Sequence, residues 1–149
     1  MRRIITHNSK QTYDLAKELG ASLKSPCVIT LRGELGAGKT TFAQGFANGL
    51  GIRRKIISPT FIIMRRYDID NASEEVRRAK IFYHVDLYRL NSEEEVESVG
   101  LLDILKDNNS VVVIEWPEKM GSQLPAKRID IQFRYLNEND RRIIIEDLC

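Results

Sequence analysis

Apolar residues recur along this chain with three different rhythms. Val111-Val112-Val113-Ile114 is an uninterrupted run, the mark of a central strand covered on both faces. Ile129, Ile131, Phe133 and Tyr135 alternate with Arg128, Asp130, Gln132 and Arg134, which predicts a half-buried strand. Asn137 to Asp140 then makes a turn, and Arg142 to Glu146 returns as the partner of a hairpin. Helical spacing appears twice. Thr12, Leu15, Ala16, Leu19 and Leu23 share one stripe of a helix that Ser9 is expected to cap and that ends near residue 24. Phe42, Ala43, Phe46, Ala47 and Leu50 define a second helix, with Gly51 at its stop. Residues 2–6, Cys27 to Leu31, an extended run through Tyr67, and Lys80 to Asp86 supply further strands. Asn91-Ser92 followed by Glu93-Glu94-Glu95 starts a helix that Gly100 breaks, with a second short helix over 101–107. Residues 68–79 read as a turn or mobile loop, and 117–126, with Pro117, Gly121 and Pro125, as a loop.

Strands and helices alternate early in the chain, which favours parallel pairing through crossovers, whereas the last two strands form a hairpin. The expected fold is therefore α/β, a sandwich around a mixed, mainly parallel central sheet with a C-terminal β-hairpin. The 149 residues suffice for a single domain over 1–149. A ligand of such a sheet sits at the carboxyl ends of its parallel strands.

Composition narrows the partners. Hydrophobic residues make 42% and charged residues 30%, with a net charge of +2, too little to imply nucleic-acid binding by overall charge. The arginine pairs Arg2-Arg3, Arg53-Arg54, Arg65-Arg66, Arg77-Arg78 and Arg141-Arg142 are expected mostly on solvated faces. Cys27 reads as a small buried hydrophobe and Cys149 as a frayed end, with no disulfide framework or zinc spacing between them. No apolar run approaches membrane-spanning length and no signal peptide is recognised, so a reducing, cytoplasmic setting is expected.

The chemistry concentrates in Gly33-Glu34-Leu35-Gly36-Ala37-Gly38-Lys39-Thr40. This fits G-x-x-x-x-G-K-[ST], with an apolar strand before it and a helix after it, the context that gives the pattern meaning. Glycines let backbone N–H groups curl around a phosphate chain, and the helix N-terminus adds partial positive charge. Lys39 is placed to reach the β- and γ-phosphates of a nucleoside triphosphate, and the Thr40 hydroxyl to ligate Mg²⁺. Two apolar strands end in a carboxylate, Asp86 and Glu115. With such a loop present, both are candidates for the metal and water chemistry of phosphoryl transfer. Glu115, ending the most buried run, is assigned to the metal with Thr40. Asp86 is assigned to water activation or the outer metal shell. The bland alternative for each is a cap or an arginine partner. His84, inside an apolar strand, reads as a satisfied structural residue ahead of a proton shuttle.

Taken together, Gly33 to Thr41, Ser58-Pro59-Thr60-Phe61, His84-Val85-Asp86-Leu87-Tyr88-Arg89-Leu90 and Glu115-Trp116-Pro117-Glu118 resemble the TsaE (YjeE) family across nearly the whole chain. The phosphate loop is widely shared; the other blocks are far more specific. The resemblance implies an ATPase that uses ATP and Mg²⁺ and supports synthesis of N6-threonylcarbamoyladenosine in tRNA. Its implied partners are TsaD and TsaB, with tRNA met mainly through that complex and hydrolysis appearing mainly within it. By position, Gly33, Gly36, Ala37, Gly38, Lys39, Thr40 and Thr41 would hold the phosphates, Thr40 and Glu115 the metal, and Lys39, Asp86 and Glu115 would serve catalysis. Ser58 to Phe61 would be a switch-like loop, Trp116 would lie beside the nucleotide, and Ser9 and Asn139 would approach the adenine side. Where the family pattern continues with a polar residue after Phe61, this chain has Ile62-Ile63-Met64.

Two other readings remain open at the level of sequence. One is a small-molecule kinase with Arg65-Arg66 or Arg77-Arg78 on a lid; the other is a nucleotide-dependent switch without essential hydrolysis. The chain lacks an N/T-K-x-D guanine-reading motif, which leans toward adenine.

Overall fold

A computed structural model describes residues 1–70 and 79–149. The elements follow the hydrophobic pattern closely. They are β1 (Arg2–Thr6), α1 (Ser9–Ser22), β2 (Val28–Arg32), α2 (Lys39–Gly49), β3 (Met64–Asp68), β4 (Ile81–Asp86), α3 (Glu93–Ser98), α4 (Leu101–Leu105), β5 (Ser110–Glu115), a 3-10 segment (Pro117–Gln123), β6 (Ile129–Tyr135) and β7 (Arg141–Asp147). The turn expected over 68–79 lies, from 71 to 78, outside the described residues.

The strands form one sheet in the order β1-β7-β6-β2-β5-β4-β3. The pairs β6–β2, β2–β5 and β5–β4 are parallel; β1–β7, β7–β6 and β4–β3 are antiparallel. Five strands therefore point one way, and only β7 and β3 run against them, so the sheet is mixed and mainly parallel as its sequence suggests. β5 is buried at every position, in keeping with its unbroken apolar run.

Two cores lie on opposite faces. On one, Ala16 of α1 and Phe42, Ala43, Phe46 and Ala47 of α2 pack on Ile29, Leu31, Val111, Val113, Ile131 and Ile143. On the other, Val96 and Leu101 from α3 and α4, with Met120, cover Val85, Val112 and Ile114. The two long helices touch almost backbone to backbone. A Cβ on Gly45 would stand 2.2 Å from Tyr13 O, and one on Gly49 2.1 Å from Lys17 O, so only glycine permits this crossing. The crossing lies in the second half of α2, and at the other end Thr12 of α1 comes beside Gly38, 3.7 Å from where a Cβ would stand.

Three sequence expectations need correction. The cap of α1 is Asn8, not Ser9: the Asn8 Oδ1 accepts from Gln11 N at 2.8 Å, while Gln11 Oε1 accepts from His7 N at 2.8 Å. The Asn8 side chain satisfies one orphan donor of the first turn, and Gln11 reaches back past the cap to the amide of His7, a near relative of the capping box. Residues 117–123 are a 3-10 segment rather than loop, with Pro117 pre-set for its first position and a break at Gly121. Cys27 and Cys149 are not independent. Their Sγ atoms lie 3.1 Å apart as free thiols, because Cys27 precedes β2 and Cys149 follows β7, and both strand ends lie at the edge of the sheet where β6 begins. Burial, then the neighbouring Cys149, pushes the Cys27 thiol well above its usual range.

Candidate functional site

β2 runs straight into the glycine loop, and the loop turns back to start α2. Gly33 has φ +153°, and a Cβ there would stand 3.0 Å from Phe133 O, so both conformation and space require glycine. Gly38 is the N-cap of α2 at φ +101°, and no side chain caps it. The first amides of an eleven-residue helix are thus left facing the loop. Such a terminus favours anions through its orphan N–H groups and its dipole.

Lys39 opens α2 and folds over this loop. Its Nζ donates to Gly33 O at 2.6 Å and Glu34 O at 2.7 Å, and lies 4.4 Å from the centre of the Trp116 ring. Burial holds the amine below its ordinary pKa, against the opposing pull of Glu115, Glu118, Asp86 and Glu34.

The carboxylates come from adjoining strand ends. β4 and β5 run parallel in a register that pairs Asp86 with Glu115, so both acids emerge at the edge where β2 delivers the loop. Glu115, 2% exposed, accepts from Thr40 Oγ1 at 3.0 and 3.3 Å and from His84 Nε2 at 2.7 Å. His84 is fully buried and its Nδ1 has no partner. A carboxylate only accepts, so Nε2 carries the proton of this contact. Asp86, 5% exposed, accepts from Thr60 Oγ1 at 2.8 Å and Tyr88 N at 3.0 Å, while its own N–H donates to Ile63 O at 2.8 Å. Thr60 in turn shares a 2.7 Å hydrogen bond with Ser58.

Two residues other than glycine have positive φ among the described residues, Ile63 at +72° and Trp116 at +60°. One bonds to Asp86 and the other follows Glu115. A β-branched or bulky side chain resists this conformation, and such strain gathers at functional sites.

A cleft of about 310 Å³ is lined by Gly36, Lys39, Thr40, Thr60, Asp86 and Glu115. On the other side of the loop a second cleft of about 320 Å³ is lined by Ser9, Thr12, Ala37, Thr41, Asn139 and Arg141. The two share Gly36, Gly38 and Thr41. They form a trough with acids and a hydroxyl at one end and a polar pocket at the other, large enough for a nucleotide-sized ligand. Of the residues nominated for nucleotide, metal or catalysis, all but Gly33 line this trough, and of the Ser58–Phe61 loop Thr60 does; Gly33 lies behind it, holding Lys39. Sequence reading missed two contacts. His84, expected as a satisfied structural residue, braces Glu115 through Nε2. Arg141 was grouped with solvated arginines, yet its guanidinium lies over the Tyr135 ring and reaches toward Gly36 O at 3.4 Å.

Among the described residues no group of three or more His, Cys, Asp or Glu side chains forms a metal cage, and no helix is long and apolar enough to cross a membrane.

Sheet order, glycine loop and helix start define a mixed α/β protein with a P-loop-like fold, the architecture of nucleotide-binding domains. Comparison with known proteins narrows this further. The family model for threonylcarbamoyl adenosine biosynthesis protein TsaE matches residues 6–143, and the chain belongs to that family. The tRNA threonylcarbamoyladenosine biosynthesis protein TsaE of Bacillus subtilis is 40% identical over 138 residues, covering 93% of this chain and 80% of that protein. The protein of the same description from Treponema pallidum is 34% identical, covering 96% of this chain and 98% of its own. The crystal structure of Bacillus subtilis YdiB superposes with a TM-score of 0.78 at 32% identity, covering 99% of this chain and 86% of that one.

Proposed function

We propose that this chain binds ATP with Mg²⁺ in the trough around Gly33–Thr41 and hydrolyses it in support of N6-threonylcarbamoyladenosine formation on tRNA. The observation that carries the reading is the meeting of Thr40, Glu115 and Asp86 at the mouth of an uncapped helix N-terminus. The tRNA role is inferred from the family, whose relatives bear that description. TsaD and TsaB are the partners this reading assigns, with a cytoplasmic setting.

The donor set suits Mg²⁺. A hydroxyl and carboxylates are hard oxygen ligands, and Mg²⁺ is commonly held by one or two carboxylates plus substrate phosphates rather than by an all-protein cage. Two buried acids stand against one nearby buried cation, Lys39, which leaves negative charge for a divalent ion to offset. Thr40 and Glu115 would hold the ion, and when bound it would neutralise charge developing on the phosphate oxygens.

The protein's own groups do the rest. Backbone amides of Gly36 to Thr41 cradle the phosphates. Lys39 exchanges the carbonyls of Gly33 and Glu34 for phosphate oxygens, which carry full negative charge and so bind the amine more strongly. Asp86 orients the attacking water and accepts its proton, with Thr60 fixing one carboxylate oxygen. Ser9, Asn139 and Arg141 meet the nucleoside at the far end.

Two measurements test this. Calorimetry with Mg·ATP gives association at micromolar to millimolar ligand, and no heat at millimolar ATP refutes the reading. Phosphate release is measured with and without purified TsaD–TsaB; strong stimulation is expected. Absence of both stimulation and an ATP-dependent complex would return the choice to a kinase or another partner.

A further inference from the structure

The sheet is covered unequally. Behind β4 and β5 the far face is closed by α3, α4 and the 3-10 segment. Across β6, β7 and β1 the outward residues Gln132, Arg134, Arg142, Glu146, Arg3 and Ile5 are exposed. Strand register turns these residues into a pattern. One row crosses four strands as Arg32, Gln132, Ile144 and Arg3; the next is Arg134, Arg142 and Ile5. Strands lie about 4.8 Å apart and alternate residues about 6.8 Å apart, so four arginines occupy a patch roughly 14 Å wide.

The charge of this patch is not cancelled locally. Among the described residues Arg3, Arg134 and Arg142 have no carboxylate within ion-pair distance, and Arg32 reaches Glu118 only at 3.9 Å. The acids of the same face, Asp130 and Glu146, are register partners at its opposite end. There Arg128 holds Asp130 through two hydrogen bonds of 2.8 Å.

A cavity of about 730 Å³ opens beside the patch, at the carboxyl ends of β2 and β6. Its walls include Arg32, Arg134, Gln132, Trp116, Glu34 and Glu118. Arginines at its rim suit phosphates. Trp116 offers an aromatic side chain, and Gln132, Glu34 and Glu118 offer acceptors for exocyclic amines, as unstacked bases require. An acidic protein surface would meet the arginines well but would be repelled by Glu34 and Glu118 inside the cavity.

We propose that this open face and its cavity bind single-stranded RNA, with the arginines of β1, β6 and β7 on the phosphates and an unstacked base in the pocket behind the glycine loop. This goes beyond the ATPase reading and does not depend on it. The net charge of +2 conceals such a surface because the balancing acids lie elsewhere.

The test uses the full chain and a fluorescein-labelled RNA hairpin with a seven-nucleotide loop, followed by anisotropy at about 50 mM salt, where phosphate contacts are strongest. Arg134→Glu/Arg142→Glu is expected to weaken binding about tenfold or more, and to flatten the slope of log affinity against log salt by about two. Arg53→Glu/Lys55→Glu, the same charge change at exposed residues elsewhere, should alter affinity less than about twofold. A blunt RNA duplex should bind at least about fivefold more weakly than the hairpin. Circular dichroism and Mg·ATP calorimetry on each variant separate a folding or nucleotide defect from an RNA defect. The proposal is overturned if the wild-type chain does not bind the hairpin, if the Arg134/Arg142 variant binds it unchanged, or if duplex and hairpin bind alike. It is equally overturned if that variant loses TsaD–TsaB while keeping the RNA, which would give the face to a protein partner.

Discussion

Asp86 and Glu115 end neighbouring strands in register, are almost equally buried, and each adjoins a residue with positive φ. Their supports differ. Glu115 is clamped between Thr40 on α2 and His84 on β4, groups carried by elements packed into the two cores. Asp86 is held by Thr60 and Ile63, both in the turn that begins at Ser58-Pro59, and by the amide of Tyr88 in the turn after β4. One acid belongs to the scaffold, and the other is tied to a loop. The first suits a fixed ligand for an ion, whose geometry must be ready before substrate arrives. The second suits a group whose position follows the state of the loop.

Substitutions sharpen that contrast. The largest effect is expected from Asp86→Asn, which keeps the shape and one of the two acceptor oxygens but removes the base. Phosphate release in the presence of partners should fall by about 100-fold or more, with Mg·ATP affinity by calorimetry within about threefold; surviving turnover would remove Asp86 from its role. Glu115→Gln should raise the Mg²⁺ concentration for half-maximal rate about tenfold, whereas equal Mg²⁺ dependence in the two variants would erase the distinction between the acids. His84→Leu should shift the Mg²⁺ midpoint in the same direction by a few-fold, because Glu115 loses its brace. His84→Gln places an amide donor near the Nε2 position and should restore most of it. A thermal melt on both variants distinguishes lost positioning from lost folding, since packing alone would not be rescued by glutamine. Thr60→Val removes one neutral partner of a carboxylate. Its cost is about 1 kcal/mol of loop positioning, read as a decrease of up to about fivefold in kcat with an unchanged Mg²⁺ midpoint.

Why some of this was visible in sequence and some was not follows from distance along the chain. The loop from Gly33 to Thr41 packs its chemistry into consecutive residues, and its strand and helix flanks have unmistakable periods. Asp86 and Glu115 were visible because each terminates an apolar run. The bond from His84 to Glu115 was hidden, since it joins residues 31 apart and depends on β4 and β5 lying side by side in one register. The thiol contact of Cys27 with Cys149 requires the order β2-β6-β7, which pattern alone does not fix. Asn8 and Ser9 are both good caps, and what separates them is the partnership of Asn8 with Gln11, one residue beyond the reach of propensity. The 3-10 segment has the sequence marks of a loop because Pro117 and Gly121 punctuate it. Proline also starts a helical turn when its missing N–H would be unused. The arginine face was hidden for the same reason as His84: its residues come from four strands scattered over the chain.

Trp116 is the sole indole in the chain, and its ring lies against both the Lys39 amine and Tyr88, the latter at 5.0 Å between ring centres. Any ligand that draws that ammonium off its two carbonyls must also change the field felt by the indole. The molecule therefore carries a built-in optical gauge of loop occupancy, readable from emission at a single wavelength and free of background from other tryptophans.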